Sequence, residues 1–86
     1  MRLTKAKTGA LLVVRRLPEN PVAERQIRAV GLLPGTFARI IRRAPFWGPL
    51  LLEAEGRTIA LGWKAARNVD VMLATDPGPE RARGTG

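Results

Sequence analysis

The large apolar residues of this chain fall into short runs, and a turn signal interrupts each run before it could become a long helix. That pattern constrains the fold more than any other feature. Residues 9–17 are rich in Leu and Val and read as a strand. Strand signals return at 36–43, 50–55, 57–61 and 69–73. Pro34-Gly35 predicts a type II turn, with glycine where positive φ is needed. Residues 44–49, Ala-Pro-Phe-Trp-Gly-Pro, predict a hairpin loop too long and proline-rich for a two-residue turn, and Glu55-Gly56 turns the chain again. Only one segment is strongly helical. Asn20 is an N-cap before Pro21 at the first helical position, Ala23, Ile27 and Val30 form one apolar stripe, and Gly31 ends the helix. The spacing predicts a helix over about 21–31 and one helical or 3₁₀ turn over 63–68. About five short strands, one helix and a short helical turn before the last strand predict a mainly β domain, a small closed barrel without exposed edges.

Length and composition then limit how such a barrel can hold together and what it can do. The chain has 86 residues, no Cys and no His. Disulfides, zinc ribbons, imidazole ligands and His-based acid–base chemistry are excluded. The apolar core must therefore suffice by itself. Residues 1–75 carry the domain. Residues 76–86 contain no large apolar side chain and are expected to be a disordered tail. The apolar run 10–14 is too short for a signal-peptide core, and no stretch approaches the ~18 apolar residues of a membrane span. A soluble cytoplasmic protein with no direct membrane insertion is the expectation.

Seven carboxylates are scattered along the chain, and no phosphate-binding glycine loop occurs. No enzymatic activity, catalytic residue, metal site or cofactor is expected. Glu53 and Glu55 share a strand face, but a charged outer face explains them better than a hard-metal site.

The run Gly31-Leu32-Leu33-Pro34-Gly35-Thr36, then Arg42-Arg43-Ala44-Pro45-Phe46-Trp47-Gly48-Pro49, then Ile59-Ala60-Leu61, resembles the FeoA family of ferrous iron transport proteins. Ala60, Leu61, Ala66, Val69 and Val71 fit the closing pattern of that family, and the resemblance spans about residues 3–73. It implies an SH3-like β-barrel, also found at the C-terminus of DtxR-type metal-dependent repressors. It further implies a small accessory and regulatory protein of ferrous iron transport, acting by protein–protein contact with the FeoB-type GTPase transporter. The sequence departs from the family at Gly62, where a basic residue is usual, and at Trp47, often Gly.

Partner-binding candidates follow from strand alternation. If Leu12, Val14, Ala38, Ile40, Leu50, Leu52, Ala54, Ile59 and Leu61 point inward, then Leu11, Val13, Phe37, Ile41 and Leu51 point outward. Together they would form a contiguous apolar patch suited to a partner or a homo-oligomer, unless a bulge returns some of them to the core. At the hairpin tip, Phe46 and Trp47 are further partner-binding candidates that could insert into a groove. Of the two, Phe46 is the one expected to pack and Trp47 the one to offer the contact, while Trp63 plugs the barrel end.

Charge supplies the alternative reading. Lys and Arg number 15 against 7 Asp and Glu, a net charge of +8. Arg15, Arg16, Arg39, Arg42, Arg43, Arg57 and Arg67 could track phosphates. The chain would then be a basic SH3-like barrel binding nucleic acid, or a free-standing regulator domain related to the repressors. No RNA-binding aromatic motif or helix-turn-helix accompanies these arginines, and a solvated basic surface is expected instead.

Overall fold

Strand alternation builds the sheet as the sequence predicts. The computed structural model describes residues 1–74. A 3₁₀ turn at Leu3–Lys5 precedes β1 (Leu11–Arg16), α1 (Pro21–Ala29), β2 (Phe37–Arg43), β3 (Leu50–Ala54), β4 (Arg57–Leu61), α2 (Trp63–Ala66) and β5 (Asp70–Leu73). All neighbouring strands are antiparallel, in the order β4-β3-β2-β1-β5. The nine residues expected to face inward are all buried. Leu3, Ala6, Leu17, Ile27, Leu32, Ala65, Ala66, Val69 and Val71 complete the core. The expected tail, 76–86, lies outside the described residues.

The barrel does not close. β4 and β5 stand at opposite ends of the sheet and form no ladder with each other. The chain start takes the place where closure would occur. Val71 N–H donates to Met1 O at 2.8 Å and Leu3 N–H to Val69 O at 2.9 Å. Arg2 bridges Asp70, so the outer edge of β5 is already paired.

Local chemistry explains the helix and the first turn. The Asn20 side chain accepts from Val22 N–H at 2.9 Å and Ala23 N–H at 3.0 Å, with Pro21 inside the first turn. The regular helix ends at Ala29, before the expected 31. Gly31 has φ +94° and donates to Arg28 O, and Leu32 N–H then donates to Ile27 O. Gly35 also has φ +94°, as the type II turn requires, and Thr36 Oγ1 accepts from Leu33 N–H. Among the described residues no helix is long and apolar enough to cross a membrane.

One predicted feature differs. The 44–49 connection contains a tight turn after all: Gly48 N–H donates to Pro45 O, and Phe46 and Trp47 occupy its centre at φ 58° and 57°. Trp63, at the start of α2, is half-buried. The buried residues of α2 are Ala65 and Ala66, because α2 packs on α1 and the 3₁₀ turn.

Candidate functional site

Register fixes which outward side chains meet. Val13 lies directly between Phe37 on β2 and Met72 on β5. Leu11, one alternation along β1, faces outward beside them. Phe37 is 55 % exposed, Met72 48 % and Leu11 40 %, while Val13 is half-buried beneath its neighbours. This is a real apolar row across three strands. Met72 was not among the predicted residues, although the buried Val71 before it was a sufficient signal.

Ile41 and Leu51 form a second group. A bulge between Ile40 and Arg42 inserts Ile41 as the extra residue and sets Arg42 opposite Leu51. The bulge does not return Ile41 to the core, since it remains exposed while Leu51 is half-buried. Between the two groups run Arg39 and Glu53, which oppose each other across β2 and β3. The predicted contiguous patch is thus divided by a charged row.

Beyond the second group, the β2–β3 connection holds Phe46 and Trp47 in solvent, 88 % and 72 % exposed. Phe46 therefore does not pack as expected. Left-handed backbone at both positions directs the rings away from the sheet instead of down onto it. Ala44 N–H donates to Pro49 O at 3.0 Å and closes the connection below them.

Two of the seven candidate arginines are engaged with main-chain carbonyls. Arg43 sends its two terminal nitrogens to Thr4 O, at 2.9 Å, and to Ala6 O. Arg39 Nε donates to Gly9 O at 3.1 Å. Both therefore tie the sheet to the chain's first ten residues. Arg15 lies 4.0 Å from Asp70. Arg16, Arg42, Arg57 and Arg67 have no carboxylate within ion-pair distance among the described residues.

Asp70 is a perturbed acid. The Met1 ammonium donates to its carboxylate at 2.9 Å and holds it below the usual carboxylate range. The charges of Met1, Arg15 and Arg16 add to that effect, against some burial. Among the described residues, no three acidic side chains converge to hold a metal ion. Glu55 lies in the β3–β4 turn at φ 52°, off the regular strand that carries Glu53.

Five antiparallel strands around one core, bent by bulges and carrying a helix between β1 and β2, define a small SH3-like domain. The chain belongs to the FeoA family: the FeoA domain model matches residues 1–73. A FeoA protein from Chlorobium tepidum has the same fold, with TM-score 0.78 and 24 % identity over 92 % of this chain and 76 % of that one. FeoA from Stenotrophomonas maltophilia, solved with zinc and described as a prokaryotic SH3 domain protein, superposes with TM-score 0.70. It is 25 % identical over 84 % of this chain and 89 % of that one. A manganese-dependent transcriptional repressor shares the fold over 87 % of this chain and 41 % of its own length, at 21 % identity and TM-score 0.77. No curated protein matches the chain.

Proposed function

We propose that this chain is a small cytoplasmic accessory of ferrous iron transport. It regulates a FeoB-type GTPase transporter by binding the transporter's cytoplasmic domain, and it performs no chemistry of its own. Membership of the FeoA family carries this reading. A relative of the same fold is an iron(II) transport protein A from Clostridium thermocellum, and an activating role in ferrous iron transport has been suggested for the Stenotrophomonas maltophilia FeoA. The exposed Phe46–Trp47 turn supplies the anchor, because large aromatics with free faces dominate interface energetics when a partner desolvates them.

Calorimetric titration of the intact chain into the cytoplasmic domain of a FeoB-type transporter tests the reading. Saturable binding is expected, and Trp47→Ala should weaken it about tenfold or more. An apolar contact should persist between about 50 and 200 mM salt, whereas phosphate binding falls steeply over that range. No binding to the cytoplasmic domain, together with salt-sensitive retention on DNA or RNA, would transfer the assignment to a nucleic-acid-binding barrel.

A further inference from the structure

The two ends of the sheet are finished differently. Backbone from Met1–Leu3 covers β5, but among the described residues nothing pairs with the far side of β4. The two-residue Glu55-Gly56 turn makes Ala54 and Arg57 the first hydrogen-bonded pair of the β3–β4 hairpin. Alternation then turns the N–H and C=O of Ile59 and Leu61 toward β3, and those of Thr58 and Ala60 away from it. Thr58 and Ala60 are both exposed, and neither makes a backbone bond elsewhere among the described residues. Natural edges are usually blunted by lysine, proline or a bulge. β4 has an arginine only at its start and pairs in unbroken register with β3.

A shallow, largely apolar groove lies beside this edge on the outer face. Leu51, Ala60 and Pro49 line it, and Arg42 stands at its rim. Arg42 has no carboxylate partner among the described residues.

We propose that the β4 edge receives an extended acidic segment of a partner protein by strand addition. The segment pairs its backbone with Thr58 and Ala60, lays an apolar side chain over Ala60 against Leu51, and places a carboxylate on Arg42. Ala60 is small enough to leave that groove open. Charge selects the occupant: Glu53 faces Thr58 at one end of the strip, but unpaired Arg42 stands at the other. The chain as a whole carries +8, so a segment with its carboxylate at the Arg42 end is drawn to this edge, while a second copy would bring a further +8 to it. The groove reaches the base of the Phe46–Trp47 turn at Pro49, but the strand edge makes no use of those two rings, and its occupation does not depend on the transporter.

Amide exchange by NMR on the intact chain tests the assignment, with a blocked peptide of alternating Glu and Val as probe and its Lys–Val counterpart as control. The acidic peptide should slow exchange at Thr58 and Ala60 about tenfold or more, and leave Ile59 and Leu61, already bonded to β3, unchanged. Ala60→Pro removes an outward donor and spares the β3 ladder, so protection should vanish. Arg42→Glu, which leaves the backbone alone, should shift preference to the Lys–Val peptide. Phe46→Ala/Trp47→Ala should keep the protection. Absence of protection at saturating peptide would overturn the proposal, as would equal protection by both peptides. Protection that grows with protein concentration without peptide would reassign the edge to a second copy.

Discussion

Replacing Phe46-Trp47 with Asn-Gly should leave this protein at least as stable and less able to bind. Both residues sit in left-handed backbone, at φ 58° and 57°. For an L-residue with a bulky side chain that conformation costs roughly 1–2 kcal/mol. Asn-Gly is the pair that paired positive φ favours in a tight hairpin turn, so the exchange relieves most of this strain. Two terms oppose the gain. Glycine loses more chain entropy on folding, about 0.5–1 kcal/mol. The rings, 88 % and 72 % exposed, surrender about 0.5 kcal/mol of burial at Phe46 and about 1–2 kcal/mol at Trp47, at ~25 cal/mol/Å². A net stabilisation of about 0–1 kcal/mol remains, and each kcal/mol should raise Tm by roughly 4–8 °C. Urea unfolding followed by far-ultraviolet circular dichroism reads this without relying on a tryptophan signal, and the urea slope should not change. A double variant less stable than the parent by about 1 kcal/mol or more would refute the reasoning, since the rings would then be packing against the sheet. A more stable variant that no longer binds the transporter domain would explain why the turn keeps two aromatics in an unfavourable backbone.

Three further outcomes follow from single contacts. Asn20→Ala removes the acceptor of two helix-start amides and should lower stability by about 1 kcal/mol, read as a drop in Tm. Gly31→Ala combines a left-handed backbone with a methyl directed at the Arg57 guanidinium, and should cost about 1–2 kcal/mol in urea unfolding. In an Arg57→Ala background only the backbone part should persist. Asp70 titrates below its unfolded value of about 3.9. Its contribution is therefore complete above that pH and is lost as pH falls through the lower folded value. Asp70→Asn should lower stability at neutral pH and flatten the acid limb of stability against pH.

The parts of the fold that the sequence displays are those decided locally. The inward set from Leu12 to Leu61 needs only alternation, and Asn20, Gly31 and Gly35 declare a cap, a helix stop and a turn by their own chemistry. The 3₁₀ turn at Leu3–Lys5 had no such signal. Leu3 and Ala6 sit among charged neighbours, and their burial depends on bonds to Val69 and Arg43, far along the chain. The failure of closure is likewise non-local, because nothing in β5 foretells that Met1 will pair with it. At the candidate surface, outward orientation was legible for Leu11, Phe37 and Ile41, and exposure for Trp47. The placement of Phe46 was not, since L-aromatics ordinarily avoid left-handed backbone. Nor was the Arg39–Glu53 division of the patch, which comes from cross-strand register.

Arginine 43 shows how far net charge can mislead about function. Of the adjacent pair Arg42-Arg43, one guanidinium stands free and the other is part of the architecture. Arg43 is half-buried and spans two carbonyls, Thr4 O and Ala6 O, with two separate nitrogens, holding the 3₁₀ turn down while Leu3 and Ala6 enter the core. A lysine ammonium is a single point on a flexible stem and cannot reproduce that fork. Arg43→Lys keeps the charge at +8 yet should cost about 1–3 kcal/mol, the range of hydrogen bonds made by charged donors. Arg42→Lys, equally conservative in charge, should change stability by no more than about 0.5 kcal/mol. Parallel urea titrations of the two variants separate a strut from a surface cation. Equal midpoints would mean that both arginines are merely solvated charge. Unequal midpoints, in the expected direction, would place Arg43 in the fold and leave Arg42 available to a partner.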